Sequence, residues 1–216
     1  MSKRLLRWFL VFGTVTAALI GLEGGYDRWL LIYCGAWAAF GLAALLWIEE
    51  DLVRERFRPP NSGADGPWLR AVQLVALAHL IIGALDAGRW HLTDVPDVLR
   101  GPAVVMMLIG AGLIALSMRT NRFFSSVVRI QHDRGHRVVD SWPYSVIRHP
   151  GYLGMIVSVP CSGLALGSWL AFALGVAYSA LMIRRVSFED GFLQTNLDGY
   201  RGYARRVRYR LLPGAW

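Results

Sequence analysis

The sequence is poor in charge and in cysteine. Only 18% of its 216 residues are charged, whereas 55% are hydrophobic; a water-soluble domain usually carries about 25% charge. The two cysteines, Cys34 and Cys161, lie inside apolar runs, and neither has a histidine or a second cysteine at the spacing of a metal site. These shortages exclude an intrinsically disordered chain, a disulfide-stabilised secreted domain and a simple soluble enzyme. They indicate a polytopic membrane protein with no metal site.

The hydrophobic residues are concentrated in long apolar runs. They cover Trp8–Leu22, Trp29–Ile48, Leu69–Leu85, Pro102–Met118 and residues 151–183. The last run is too long for one span, because its 33 residues would reach about 50 Å as a helix, against a hydrocarbon core of about 30 Å. Pro160, Gly163 and the pair Gly167-Ser168 allow a turn. We therefore expect a helical hairpin, Tyr152–Leu166 followed by Ser168–Ile183, and about six membrane segments.

Lysine and arginine are distributed unevenly between the loops. With the N-terminus inside, the inner segments 1–7, 49–68, 119–150 and 184–216 hold 19 of them, and the outer loops hold three. This asymmetry predicts an all-α polytopic membrane helix bundle with both termini cytoplasmic. No small-residue cleavage site follows the first run, so we expect it to be a membrane helix rather than a signal.

The same asymmetry explains the net charge of +8. Juxtamembrane arginines attract anionic lipid headgroups, so a nucleic acid is not expected as a partner. The chain is predicted to divide into four N-terminal spans, residues 1–118, and a catalytic region with the hairpin, residues 119–216. The loop 58–63, with its two prolines, is read as a plain connection between the second and third spans.

The two inner segments that flank the hairpin are unusually rich in chemically active side chains. A hairpin returns its ends to one side, so these segments must face each other at the cytoplasmic surface. With the adjoining residues they hold thirteen arginines and His132, His136, His149, Tyr144, Tyr152, Tyr200, Tyr203, Glu189 and Asp190. We predict a site here, where a lipid-dissolved molecule can meet a water-soluble one.

Several short motifs of this region are distinctive in combination. They are Gly135-His136-Arg137-Val138-Val139, Trp142-Pro143-Tyr144, Arg148-His149-Pro150-Gly151-Tyr152-Leu153-Gly154 and Arg185-Val186-Ser187-Phe188-Glu189-Asp190, followed by Tyr200, Tyr203, Arg205-Arg206-Val207 and Leu212-Pro213. Together they resemble the isoprenylcysteine carboxyl methyltransferase family, which is related to the membrane phospholipid methyltransferases. The resemblance covers roughly Phe123–Trp216 and does not extend to the first hundred residues.

The resemblance implies an enzyme that binds S-adenosylmethionine at the cytoplasmic face and methylates a lipophilic acceptor. It implies cofactor contacts from His136, Arg137, Val138, Val139, Tyr144, His149, Pro150, Gly151, Tyr152 and Glu189, with Gln131 as a further candidate. It also gives Arg185 a substrate role, so that Arg185, Glu189 and His149 are the candidate catalytic residues. Family members often have a second glutamate where this chain has Asp190, and the shorter side chain argues against a direct contact from that position.

The residue types are compatible with this cofactor. Tyr144 or Tyr152 can stack on an adenine or face a sulfonium, and Glu189 can accept hydrogen bonds from an ammonium or a ribose. Arg185 and Glu189 are four residues apart, so both project from one face of the sixth helix. A carboxylate acceptor needs no proton removed, whereas an amine or thiol needs a base, for which His149 and His136 are the candidates.

Other interpretations stay open at this point. One alternative is a nicotinamide-dependent membrane reductase, because sterol reductases have a similar hairpin and C-terminal segment. Another is a non-catalytic lipid-binding subunit. Arg148 and Arg185 also fit interfacial anchors, and Tyr200 and Tyr203 fit packing positions better than ligand contacts. The acceptor is undecided between prenylated cysteines, phospholipid amines, isoprenoid acids and lipophilic thiols, and the oligomeric state is unknown.

Overall fold

The computed structural model describes residues 3–25, 27–57 and 63–216, and these ranges contain helices and irregular segments but no strand. The α-helices are α1 (Lys3–Glu23), α2 (Arg28–Trp47), α3 (Glu50–Phe57), α4 (Gly66–Leu85), α5 (Asp97–Thr120), α6 (Pro150–Leu166), α7 (Trp169–Asn196) and α8 (Tyr200–Arg206). A π-helical turn, Asp86–Trp90, continues α4, and a short 3-10 turn, His132–Arg134, interrupts the irregular segment before α6. Most of the predicted connection 58–63 lies outside the described residues.

The predicted membrane bundle is confirmed. Five helices are long and apolar enough to cross a membrane: α1, α2, α4 with its π-helical turn, α5 and α7. The remaining predicted segment, α6, has 17 residues and spans about 25 Å, near the lower limit for a transmembrane helix. Many of its residues are buried by the neighbouring helices α5 and α7.

The hairpin turns where the sequence predicts, at Gly167 and Ser168. Gly167 has a φ of 95°, a left-handed conformation that only glycine adopts at little cost. The Ser168 hydroxyl caps the next helix by accepting the Ala171 N–H at 3.0 Å. At Gly163 an added Cβ would lie 2.4 Å from the Phe172 backbone nitrogen, so the two helix backbones are in direct contact.

Glycine also fixes α6 against α5. A Cβ at Gly110 would lie 2.6 Å from the Gly154 carbonyl oxygen, and one at Gly154 would lie 2.5 Å from the Gly110 oxygen. One turn further on, the Ser158 hydroxyl donates to the Met107 carbonyl at 2.9 Å. The start of α6, which carries the predicted motif, is therefore held rigidly between α5 and α7.

The sixth spanning helix is much longer than predicted. Its apolar run ends at Ile183, but α7 continues to Asn196, a further 20 Å or so at the α-helical rise. Arg185, Val186 and Asp190 are buried on this extension, so packing of one face continues the helix after the hydropathy signal stops. The short helices α3 and α8, which the sequence analysis did not predict, lie next to this extension and complete the walls of a cavity.

Candidate functional site

A cavity of about 850 Å³, including the part open to solvent, lies where α3, α6, α7 and α8 meet the irregular segment after α5. Ten of the predicted site residues line it: His136, Arg137, Val138, Val139, Tyr144, His149, Gly151, Tyr152, Arg185 and Glu189. Pro150 is not among the lining residues; it is buried as the first residue of α6. The fold therefore gathers nearly all of the predicted residues around one space.

Asp190 holds the two sides of this cavity together. It is fully buried and accepts two hydrogen bonds from the Arg148 guanidinium, at 2.7 and 3.0 Å. His149 Nε2 lies 3.3 Å from the same carboxylate, which can only accept, so Nε2 carries the hydrogen. Three more donors, at 2.8 to 3.1 Å, come from Gln194, Tyr200 and Arg210. Asp190 is not among the residues that line the cavity.

Arg148 is a structural residue and not an interfacial anchor. Burial disfavours its charge, but the hydrogen bonds with Asp190 outweigh burial and raise the pKa of the guanidinium. It also donates to the carbonyls of Val207 and Arg208, at 2.7 and 2.8 Å. The backbone N–H groups of residues 148 and 149 each donate, at 2.9 Å, to the carbonyls of residues 209 and 210. The C-terminal segment is thereby bound to the start of α6.

Tyr200 and Tyr203, expected to be packing residues, are buried and also line the cavity. The Tyr200 hydroxyl donates to Asp190, and the Tyr203 hydroxyl donates to the Tyr144 carbonyl at 2.7 Å. Burial raises the pKa of both phenols, so they stay protonated and act as donors. They have a packing role and a lining role at once.

Three predicted residues meet around the Tyr152 ring. Its hydroxyl donates a short hydrogen bond to Glu189. The His149 ring stands edge-on to Tyr152 at 5.7 Å between centroids, and the Arg185 guanidinium lies 5.8 Å from the ring centroid. Glu189 and His149, on different helices, therefore reach the same small volume.

The charge of Arg185 already has a partner. Its guanidinium forms an ion pair with Asp65 at 2.5 Å, and both side chains are buried; it also donates to the Ser126 carbonyl. Asp65 in turn accepts the Val128 N–H at 3.0 Å. The Arg185 Nε has no hydrogen-bond partner among the described residues. Asp65 precedes α4 in what the sequence presents as a connecting loop, and no motif marks it.

Arg56 on α3 lines the cavity, although nothing in the sequence indicates a role in the site. Its guanidinium donates to the Ser125 carbonyl at 3.0 Å and lies 5.2 Å from the centre of the Phe124 ring. In the described part of the chain, no carboxylate lies within 4.0 Å of it. Burial lowers its pKa, and the neighbouring positive charge of Arg185 lowers it further.

The acid next to Arg56 on α3 does not neutralise it. Glu55 is buried and forms an ion pair with Arg129 at 3.1 Å, and it accepts the Ser125 hydroxyl at 2.9 Å. Arg129 also pairs with Asp133 at 3.0 Å. Arg56 therefore brings an unpaired positive charge to the cavity, although in the sequence it is only one more arginine of an inner segment.

His136 is neutral and has one nitrogen free to donate. Burial, and then the charge of Arg129, lower its pKa to about 4. Its Nδ1 accepts the Gln131 N–H at 3.3 Å, so the hydrogen of the neutral ring is on Nε2. Gln131 lines the cavity too, but its side-chain amide already bonds the Phe123 carbonyl and Arg134.

A second cavity opens between α1, α2, α4 and α6, with about 1380 Å³ of space including its open side. Its walls are mostly apolar and include Val11, Phe12, Val15, Leu19, Trp37, Ala76, Leu80, Ile114 and Val159. It shares Arg56 and Met155 with the first cavity. A polar pocket and an apolar one thus meet at a single arginine. No cluster of three or more potential metal ligands occurs in the ranges that the structure describes.

Comparison with known proteins agrees with this geometry. Residues 103–195 match the isoprenylcysteine carboxyl methyltransferase family. A probable protein-S-isoprenylcysteine O-methyltransferase of Oryza sativa subsp. indica is 29% identical over 48% of this chain and 56% of its own length. The cobalt-zinc-cadmium resistance protein CzcN of Cupriavidus metallidurans is 29% identical over 66% of this chain and 60% of its own. The protein-S-isoprenylcysteine O-methyltransferase of Schizosaccharomyces pombe is 21% identical over 89% of this chain and 91% of its own.

The chain therefore spans little more than half the length of the rice relative. The family match begins within α5 and includes α6 and nearly all of α7, the elements that carry most of the predicted motifs. The resemblance to the isoprenylcysteine carboxyl methyltransferase family is confirmed for this chain over residues 103–195.

Proposed function

We propose that this protein is a membrane methyltransferase that takes a methyl group from S-adenosylmethionine and transfers it to a lipophilic acceptor. One observation carries the proposal: the motif-lined polar cavity and the apolar cavity share Arg56 and Met155. A water-soluble donor and a lipid-dissolved acceptor can thus meet without either leaving its own solvent. The arginine asymmetry of the sequence supports a cytoplasmic position for the polar cavity and for both termini.

The lining residues fit the chemistry of S-adenosylmethionine, which supplies a methyl group on a positively charged sulfur. Glu189 has only the Tyr152 hydroxyl as a hydrogen-bond partner among the described residues, so it can also accept from an ammonium or a ribose. The His136 Nε2–H is a donor, and the Tyr152 ring offers a face to a cation. At Gly151 an added Cβ would lie 2.5 Å from the Phe124 ring, so only glycine leaves the cavity wall in this form.

The charges favour an anionic acceptor. Arg185 is neutralised by Asp65, whereas Arg56 has no such partner and lies at the junction of the two cavities. A half-buried cation without an ion-pair partner favours a ligand that brings negative charge. We propose that Arg56 binds the acceptor's anionic group, assisted by the free Nε of Arg185. A carboxylate needs no base before it attacks the methyl carbon, so the residues serve mainly to align it and to exclude water.

The geometry also separates the two candidate bases for another acceptor. His136 has Nδ1 engaged and a pKa of about 4, so its neutral ring is a weak proton acceptor near pH 7. His149 donates through Nε2 to Asp190, which leaves its Nδ1 available. If the acceptor were an amine or a thiol, His149 would be the base.

Ligand binding to the purified full-length protein in detergent tests the proposal. We expect S-adenosylhomocysteine to raise the unfolding temperature and NADPH to have no effect. We expect Glu189→Gln to abolish the S-adenosylhomocysteine effect, because the amide loses the charge that attracts an ammonium. The matched control is Glu50→Gln, an exposed acid of α3, which should bind normally.

Two results would contradict the proposal. Stabilisation by NADPH alone would favour a reductase, and no stabilisation by either ligand would favour a non-catalytic lipid-binding protein. Radiolabelled S-adenosylmethionine, incubated with membranes that contain the protein, should transfer label to a lipid-extractable acid whose ester is cleaved by mild base. Base-stable label would point to an amine or thiol acceptor instead.

A further inference from the structure

The apolar cavity contains an unexpected group of polar side chains. Thr16, Tyr33, His79 and Ser162 come from α1, α2, α4 and α6, and all four line the cavity. Tyr33, His79 and Ser162 are buried within the membrane-spanning part of the bundle. Polar groups are costly at this depth unless they are hydrogen-bonded, and they usually mark a functional position.

The Ala171 carbonyl determines which atom donates in each hydrogen bond of this group. His79 Nδ1 lies 2.8 Å from the Ala171 oxygen, which only accepts, so Nδ1 carries the hydrogen. Nε2 of the neutral ring then accepts from the Ser162 hydroxyl at 3.2 Å. Ser162 in turn accepts from the Tyr33 hydroxyl at 2.9 Å. The polar hydrogens of Tyr33, Ser162 and His79 are therefore all donated within this group. The Tyr33 oxygen, which also interacts with the Trp37 side chain, can still accept a hydrogen bond.

Thr16 complements that acceptor. Its buried hydroxyl oxygen has no hydrogen-bond partner within ordinary distance limits among the described residues, and it interacts only with the Cys34 thiol, a weak partner. A hydroxyl can both donate and accept. A ligand hydroxyl at this level would donate to the Tyr33 oxygen and accept from Thr16.

The position of this polar group along the bundle determines its distance from the polar cavity, and so the length of a ligand that reaches both. On α6, Met155 marks the junction with the polar cavity, and Ser162 is seven residues further on. The separation along the helix axis is about 10 Å from Met155 and about 15 Å from Tyr152, at 1.5 Å per residue. An extended chain of ten to twelve atoms covers roughly 11–14 Å.

We propose that the cavity selects a lipophilic acceptor that carries a hydroxyl group about ten to twelve chain atoms from its reacting anionic group, read by Tyr33 and Thr16. This inference rests on the proposed function, which makes the bound ligand a methyl acceptor. It adds a second recognition point inside the membrane, formed by helices that lie outside the matched family region apart from α6. An entirely apolar tail would leave the Thr16 hydroxyl unsatisfied.

Binding of matched fatty acids tests the inference without methyl transfer. The probes are dodecanoic acid and 12-hydroxydodecanoic acid, whose affinities for the purified protein are measured by displacement of a fluorescent fatty acid in one detergent. The ratio of the two affinities is compared between variants, because partition into detergent cancels in that comparison. We expect Tyr33→Phe and Thr16→Val each to lower the preference for the hydroxy acid by about fivefold, the effect of one hydrogen bond of ordinary strength.

The matched control is Ser158→Ala. Ser158 lines the same cavity one turn from Ser162, but its hydroxyl already donates to the Met107 carbonyl, so the preference should not change. An unchanged ratio in both Tyr33→Phe and Thr16→Val overturns the inference. If S-adenosylhomocysteine still stabilises the native protein, that failure concerns only the hydroxyl site. Loss of the hydroxyl preference in Thr16→Val alone suffices as support if Tyr33→Phe does not fold.

Discussion

Replacing Asp190 with asparagine should strongly destabilise the protein. The carboxylate is fully buried and forms an ion pair with Arg148, which is itself buried. Removal of one partner from a buried ion pair costs about 3–5 kcal/mol, because the other charge stays in a poorly polarisable environment. Since whole domains are stable by only about 5–15 kcal/mol, we expect Asp190→Asn to lose a large part of the free energy of unfolding.

Unfolding in mixed micelles of mild and denaturing detergent, followed by near-ultraviolet circular dichroism, measures this loss. The control is Asp198→Asn, an exposed acid a short distance along the chain, which should change the free energy by no more than about 0.5 kcal/mol. A double-mutant cycle with Arg148→Gln should give a coupling energy of about 0.5–3 kcal/mol. A cost for Asp190→Asn as small as that of the control would refute the reasoning that this carboxylate holds the site together.

Two further predictions concern the walls of the site and the hairpin. His136 contributes stability through its neutral form, and burial lowers its pKa from 6.5 to about 4; the contribution is complete above pH 6.5 and is lost as the pH falls towards 4. The free energy of unfolding should therefore fall as the pH is lowered over this range, and His136→Asn should remove that part of the pH dependence. Gly163→Ala should lower the unfolding temperature, because its Cβ would lie 2.4 Å from a backbone nitrogen of α7, whereas Gly112→Ala, with open space around it, should be neutral or slightly stabilising.

The sequence predicts the bundle well because hydropathy and the placement of arginine report directly on the membrane. The turn at Gly167 and Ser168 was also predictable, since glycine and serine there suit a helix end and a helix start. The length of α7 was not, because beyond Ile183 the helix is maintained by burial of Arg185 and Asp190, which hydropathy scores as polar.

The residues of the candidate site were likewise only partly predictable from the sequence. Motif resemblance named several of the residues that line the cavity from the segment before α6, from α6 itself and from α7. It could not identify Arg56 or Asp65, because their importance comes from the packing of α3 and the start of α4 on the second half of the chain. An arginine in an inner segment fits a headgroup contact equally well. Arg56 is distinguished in the structure because it lines both cavities and has no carboxylate within ion-pair distance among the described residues.

The attachment of residues 207–210 to Arg148 and His149 has a consequence for biosynthesis. Membrane helices enter the bilayer one after another as the ribosome makes them, and all six apolar segments precede these residues. Residues 207–210 provide the carbonyls that accept from the Arg148 guanidinium and from the backbone N–H groups of Arg148 and His149. A nascent protein can therefore insert these six segments while its pocket is still unformed, and competence to bind a ligand arises only after residues 207–210 have been synthesised.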